Sequence, residues 1–221
     1  MVRLLSRRWM LSVLGAGVLS VGMIGATVQP AQAVLPVSLN SSQQEMIKKA
    51  EQHLTAIRSL SATFEQISSN GGSAAGTVAI KRPGKMRLDY LPPMQVQIIA
   101  NGTHLIYIDN ELDQVSYLGL DSTPAGILLR DKVSFSDPDI EVTGVQERPD
   151  AFEINVIMRQ DPGAGVLTLV FDRKDFGLTQ WRIRDAQGVV TSVILQRIKL
   201  GVELDDSLFR YVEKAQSLPR N

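Results

Sequence analysis

Any chemistry in this chain has to be assembled from few parts. The sequence carries two histidines, His53 and His104, and no cysteine. A thiol nucleophile, a disulfide and a cysteine-based metal site are therefore excluded. No G-x-S-x-G occurs, and two separated histidines offer little from which to build a triad or a metal centre. His53 falls beside the apolar stripe of a helix, the usual setting of a boundary residue. His104 follows an Asn-Gly turn, where a solvated strand histidine is expected, and a histidine base would need placed partners. Ser136-Asp137-Pro138-Asp139 brings two carboxylates close together but lacks the alternating oxygen ligands that a calcium loop spreads over about 12 residues. It reads as a turn. Gly163-Ala164-Gly165 is a hairpin tip and not a phosphate cradle, because no helix start follows it. Glu203, Asp205 and Asp206 read as a solvated turn near the end. The residues predict a protein that is not an enzyme and that needs neither metal nor cofactor.

The elements that would position a binding site are more informative. Gly76 to Tyr90 reads as a hairpin: Thr77-Val78-Ala79-Ile80 is a strand, and Arg82-Pro83-Gly84 is a turn with Pro and Gly as breakers. Met86, Leu88 and Tyr90 then alternate with Lys85, Arg87 and Asp89, which gives the hairpin one oily face. Upstream, Ser42-Gln43-Gln44-Glu45 has the form of a capping box. It opens a helix whose apolar positions Met46, Ile47, Ala50, Leu54, Ile57 and Leu60 form one stripe. That face has to lie on something, and the sheet is the candidate.

From Ser61 the period is two. Ala62–Ile67, Met94–Ala100, Thr103–Ile108, Leu112–Leu118, Ile140–Val145, Ala151–Arg159, Val166–Asp172, Gly177–Arg184 and Val189–Ile198 read as short strands between tight turns. This rhythm predicts an antiparallel meander closing into a sandwich or barrel. Several strands carry apolar residues on both faces, as in Ile98 with Ile99, Val166-Leu167 with Leu169-Val170, and Val189-Val190 with Val193-Ile194. One face can pack on the helix while the other packs in a sandwich or lines a cavity. Asp121-Ser122-Thr123-Pro124 looks like a helix start. The apolar Ala125–Arg130 that follows is either a plug for the sheet or a mobile cover over a cavity.

Composition narrows the partners. Residues 1–33 read as a signal peptide: Arg3, Arg7 and Arg8 form a basic region, Leu11 to Val28 is uncharged, and Ala31-Gln32-Ala33 is an A-x-A cleavage site. An uncleaved anchor is the other reading of so long an apolar run, and four glycines within it favour removal. Ser6-Arg7-Arg8-Trp9-Met10-Leu11 also resembles a twin-arginine signal, so either export route fits. Removal takes three arginines and no acid from a chain with 23 basic and 23 acidic side chains. The remainder, 34–221, is mildly acidic and reads as one domain. A nucleic-acid partner is not expected of such a surface, and 6 Phe, 4 Tyr and 2 Trp weigh against a stacking site for bases or sugars.

Four segments in register resemble the periplasmic lipoprotein carrier family, LolA. Leu60-Ser61-Ala62-Thr63-Phe64-Glu65-Gln66 is similar to the family's segment after its first helix, where a Phe and a Gln recur two apart. Gly76 through Tyr90 resembles its G-x-[apolar]-x-[apolar]-K-R-P-x-x-[apolar]-R hallmark. Asn101 to Asp109 resembles the next hairpin, with Tyr107 one residue early and Ile108 in the tyrosine's place. Thr123-Pro124 with Ile127, Leu128 and Leu129 sits where the family has its lid helix, and Ser207-Leu208-Phe209 adds a short match near the end. The resemblance implies an unclosed antiparallel β-barrel, mainly β with α, covered by the N-terminal helix and the lid. It implies a monomeric carrier in the periplasm that holds lipoprotein acyl chains, receives them from an inner-membrane ABC-type transporter and passes them to an outer-membrane acceptor lipoprotein. Arg82 takes the place of the arginine that clasps lid carbonyls. Phe64, Met86, Leu88, Tyr90, Ile98 and Leu105 become cavity candidates, and Ile127, Leu128 and Leu129 the cover. Met86 stands where many relatives carry Phe, at a position linked to accepting cargo. The alternatives are a lipid or glycolipid carrier or a lipoprotein-sensing module of the same fold, and, in another class, an enzyme with a polar site in the concavity.

Overall fold

The computed structural model describes residues 38–212, and the export signal expected at 1–33 lies outside them. The change of period from 3.6 to two falls at the end of the first helix. Helix α1 spans Ser41–Ala56 and buries Met46, Ile47, Ala50 and Leu54. Its cap is Asn40 rather than Ser42: the Asn40 side chain accepts from the Gln43 N–H at 2.9 Å, and the Gln43 side chain accepts from the Asn40 N–H at 3.1 Å. N-x-x-Q overlaps S-x-x-E here. Asn caps as well as Ser, and the earlier start lengthens the helix. Leu60, expected on the helical stripe, instead turns inward as part of the first strand.

Eleven strands follow: β1 Ser59–Ser68, β2 Ser73–Lys81, β3 Lys85–Tyr90, β4 Val96–Asn101, β5 His104–Asp109, β6 Gln114–Gly119, β7 Ile140–Glu147, β8 Ala151–Met158, β9 Val166–Asp172, β10 Leu178–Arg184 and β11 Val190–Leu200. They form one antiparallel sheet in the order β6-β5-β4-β3-β2-β1-β11-β10-β9-β8-β7. Consecutive strands pair with one another except β6 and β7, and the long-range step joins β1 to β11, with Phe64 opposite Leu195 and Gln66 opposite Val193. The two ends of the order, β6 and β7, have a strand neighbour on one side only. The sheet is therefore an unclosed half-barrel.

Its concave face is continuous with the apolar face of α1. A single core holds Leu54 of α1, Phe64, Val78 and Leu88 from one half of the sheet, and Ile154, Leu169, Phe171 and Val193 from the other. The apolar pair in β4 is thereby explained. Ile98 points into this core, while Ile99 joins Ile106 and Ile108 in a small cluster on the opposite face, covered by Tyr211. Beyond β11, Asp206–Phe209 forms a 3-10 turn. It is clipped to the β2–β3 hairpin, since Lys81 and Lys85 donate to Asp206 at 2.6 and 2.9 Å.

Between β6 and β7 the chain crosses from one free edge of the sheet to the other. The short helix α2, Pro124–Leu129, lies on that crossover. Thr123 precedes it as the N-cap and Pro124 occupies its first turn, as the sequence predicts, although the Thr123 hydroxyl donates to Leu120 O at 2.8 Å instead of capping.

Candidate functional site

Beneath α2 the curled sheet leaves a cavity of about 40 Å³. On the N-terminal half its wall is Met86, Leu88 and Tyr90 of β3, Ile98 of β4 and Leu105 of β5. These residues share one face because alternate positions of each strand point inward. The opposite wall is Leu167 of β9, Trp181 and Ile183 of β10, and Val193 of β11. The roof is α2, with Pro124, Ala125 and Leu128 turned down and Thr123 at its start. Gln66 of β1 completes the lining where the two halves meet.

The aromatic end of the cavity is tightly specified. Phe64 and Tyr90 meet edge to face with ring centroids 5.2 Å apart, on the row where Phe64, Gly76 and Tyr90 pair across three strands. A Cβ on Gly76 would lie 2.7 Å from the Phe64 ring and 2.3 Å from Asp89 O, so the ring occupies the room that the glycine leaves. The Tyr90 hydroxyl donates to Gln66 Oε1 at 2.7 Å. Burial pushes the Tyr90 phenol well above its ordinary pKa, so it stays a donor. Gln66 Nε2 has no hydrogen-bond partner, although the residue is only 1% exposed. A buried donor left in this way costs on the order of 1–3 kcal/mol.

Closure of the roof depends on the tip of the β2–β3 hairpin. Arg82 is buried, and its guanidinium donates twice to Leu128 O, at 3.0 Å from Nε and 2.7 Å from one terminal nitrogen. The other terminal nitrogen donates to Ile57 O at 3.3 Å, so one cation bridges the C-terminal ends of α2 and α1. Such ends carry unsatisfied carbonyls and partial negative charge, and a planar fork of donors suits them. The Gly84 N–H adds a bond to Leu129 O at 2.8 Å. Burial, and secondarily the like charge of Arg58, bring the Arg82 pKa down from 12.5 to about 10.

The rest of the crossover is moored elsewhere. Arg130 is held by Asp137 and Asp139, which gives the paired carboxylates of that turn a structural task. Val133 N–H donates to Thr55 Oγ1 at 3.2 Å, and Arg58 pairs with Asp131 at 2.7 Å. His104 stacks edge-on against Tyr117 at the exposed sheet edge. Among the described residues no group of three or more histidine, cysteine or acidic side chains could hold a metal ion.

Met86, Leu88, Tyr90, Ile98, Leu105 and Leu128 thus lie around one cavity. Phe64 stands behind Tyr90, and Ile127 and Leu129 are buried beside the roof without lining the cavity. The motifs include Gln66 beside Phe64 without giving it a place in the cavity, and they do not single out the wall of Leu167, Trp181, Ile183 and Val193. The inward alternation of Trp181 with Ile183 is readable in the sequence. The pairing of β11 with β1 that brings it opposite Tyr90 is not. A second groove, polar and of about 260 Å³, is lined by Arg148, Glu153, Asn155, Thr168 and Arg182 among others. Glu153 is buried there between Arg148 and Arg182, so its charge is compensated within the groove.

A family model described as outer membrane lipoprotein carrier protein LolA matches residues 55–212. The outer-membrane lipoprotein carrier protein of Methylococcus capsulatus is 28% identical over 168 residues, 72% of this chain and 79% of that protein. Its counterpart in Nitrosomonas europaea is 30% identical over 145 residues, 62% of this chain and 68% of its own length. The crystal structure of a LolA superfamily protein from Nitrosomonas europaea aligns with a TM-score of 0.44 at 13% identity, covering 76% of this chain and 97% of that one. The matched stretch continues through the C-terminal half, where the motifs fade into strand rhythm, and the chain belongs to the LolA family of outer membrane lipoprotein carrier proteins.

Proposed function

We propose that this chain is a periplasmic carrier that takes the acyl chains of lipoproteins under α2 and shuttles them from the inner to the outer membrane. The observation that carries the reading is the cavity: hydrocarbon on nearly every wall, with a roof held by carbonyl hydrogen bonds that can be broken and remade. Each methylene of an acyl chain is worth about 0.8 kcal/mol when buried. Such a chain crosses an aqueous space only inside a shelter, and leaves it only for a site that binds it more tightly. The similarity to outer-membrane lipoprotein carrier proteins supports the same reading.

In this scheme residues 1–33 direct export and are removed after Ala33, and 34–221 form one carrier domain. An inner-membrane ABC-type transporter loads it and an outer-membrane acceptor lipoprotein unloads it. Phe64, Met86, Leu88, Tyr90, Ile98 and Leu105 serve as the binding wall, Ile127, Leu128 and Leu129 as the cover, and Arg82 as the clasp. Native mass spectrometry of the protein recovered from the cell envelope tests the proposal. The expected species is a chain beginning at Val34 that carries an acylated lipoprotein. Repeated recovery with phospholipid alone would replace lipoprotein by free lipid as the cargo.

A further inference from the structure

One polar group is set into the hydrocarbon wall, and its orientation is fixed. Gln66 lines the cavity, its Oε1 is taken by the Tyr90 hydroxyl at 2.7 Å, and its Nε2 is buried without a partner. Tyr90 is in turn held by Phe64, which lies over Gly76, so the amide is locked with its donor turned from the tyrosine. Thr123, also in the lining, already uses its hydroxyl hydrogen on Leu120 O. Two residues beyond Gln66 on the same face of β1, Ser68 Oγ is also buried and unpaired. The inward face of β1 therefore runs from Leu60, Ala62 and Phe64 into two polar groups. Buried polar groups without partners are rare in native proteins, and each one calls for an explanation.

We infer that Gln66 Nε2 is the polar anchor of the bound acyl group, donating to the carbonyl oxygen of a neutral ester or amide linkage. The inference rests on the acyl-chain reading of the cavity and adds which part of the ligand is recognised. An N–H2 group can pair only with an acceptor, and the surrounding Met86, Leu88, Ile98 and Trp181 require hydrocarbon around that acceptor. A free carboxylate fits poorly. No cation lines the cavity among the described residues, since Arg82 donates to the carbonyls of Leu128 and Ile57. One neutral donor does not compensate a desolvated charge. The linkage end of the ligand then lies toward Gln66 and Ser68, and its tails toward Leu60 and the clasped end of the roof.

The test is a competition of three ligands of equal chain length against a fluorescent acyl probe: dipalmitoylglycerol, its dihexadecyl ether, and palmitate. The protein should prefer the ester over the ether by about ten-fold, the worth of one buried hydrogen bond, and should not prefer palmitate over the ester. In Gln66→Leu combined with Tyr90→Phe, which strands no hydroxyl, the ester-to-ether ratio should fall to about one; Gln66→Met combined with Tyr90→Phe provides a second variant with the same expectation. A loss of packing would weaken both ligands together and leave the ratio in place. Equal affinity for ester and ether in the unaltered protein, a preference that survives both variants, or a preference for palmitate would overturn the assignment while leaving the acyl-chain reading intact. Binding of none of the three would overturn both.

Discussion

At the scale of the residue, Arg82 is the unusual group. Its guanidinium is buried among backbone carbonyls, with Leu128 and Ile57 as acceptors. Below about pH 10 it is charged whether the chain is folded or unfolded. A folded pKa depressed to about 10 from 12.5 means that the cation is worse off inside than in water. It therefore lowers the stability of the folded chain at neutral pH, and this penalty is relieved only as pH rises from about 10 toward 12.5. The hydrogen bonds offset it, at about 1.5–3 kcal/mol for each bond to a charged group. On the carrier reading proposed above, removing these bonds favours the open roof. Arg82→Leu should retain cargo and transfer it to an acceptor membrane roughly ten-fold or more slowly, because reclosure of the empty carrier no longer favours release. Arg82→Lys keeps the charge but loses the fork, and should be intermediate. Transfer by Arg82→Leu at the unaltered rate would remove the clasp from the mechanism. Arg82 is legible in the sequence because K-R-P-G is a local pattern. The Phe64-x-Gln66 spacing is legible too, but the task of Gln66 is not, because it arises from Tyr90 of β3 and from Val193 of β11, partners that no local pattern reveals.

At the scale of the element, α2 is too short to be stable alone, since isolated helices below about 12–15 residues are marginal in water. Its order comes from burying Ile127, Leu128 and Leu129 and from the hairpin tip that holds its last carbonyls. That tip is built by contact of two glycines. Gly84 has φ 74°, and a Cβ there would lie 2.8 Å from Gly102 Cα in the β4–β5 turn. Gly84→Ala should therefore destabilise the fold by about 1–3 kcal/mol, combining left-handed strain with the clash. It should also speed hydrogen exchange in α2 more than in β8 and β9. A fall in stability with exchange raised evenly across the sheet would show that the tip does not hold the roof. The apolar stripe of α1, the hairpin turns and the Thr-Pro start of α2 were all legible, because each is a local pattern. The cap of α1 is Asn40 and not Ser42: two capping patterns overlap, and the local pattern does not decide between them.

At the scale of the molecule, the sheet has two free edges and a crossover that spans the gap between them. Alternation in the strands foretells an oily face. It does not foretell that β1 pairs with β11, and that pairing alone brings Trp181 and Ile183 opposite Leu88 and Tyr90 across a shared cavity. The cavity, about 40 Å³, is far below the roughly 300–1,000 Å³ of ordinary ligand pockets. An acyl chain therefore enters only if the wall retreats, and the parts differ in how readily they do so. The strands beneath are held by ladders on both sides, while α2 is held by the Arg82 and Gly84 bonds and by its own three apolar side chains. Loading should displace α2 as a unit and leave the sheet in register. Hydrogen exchange followed by mass spectrometry should then show the amides of 125–131 exchanging at least about ten-fold faster in the lipid-loaded protein than in the empty one, with β1, β2 and β11 unchanged or better protected. Equal protection of α2 in both states would place the ligand somewhere other than under the roof.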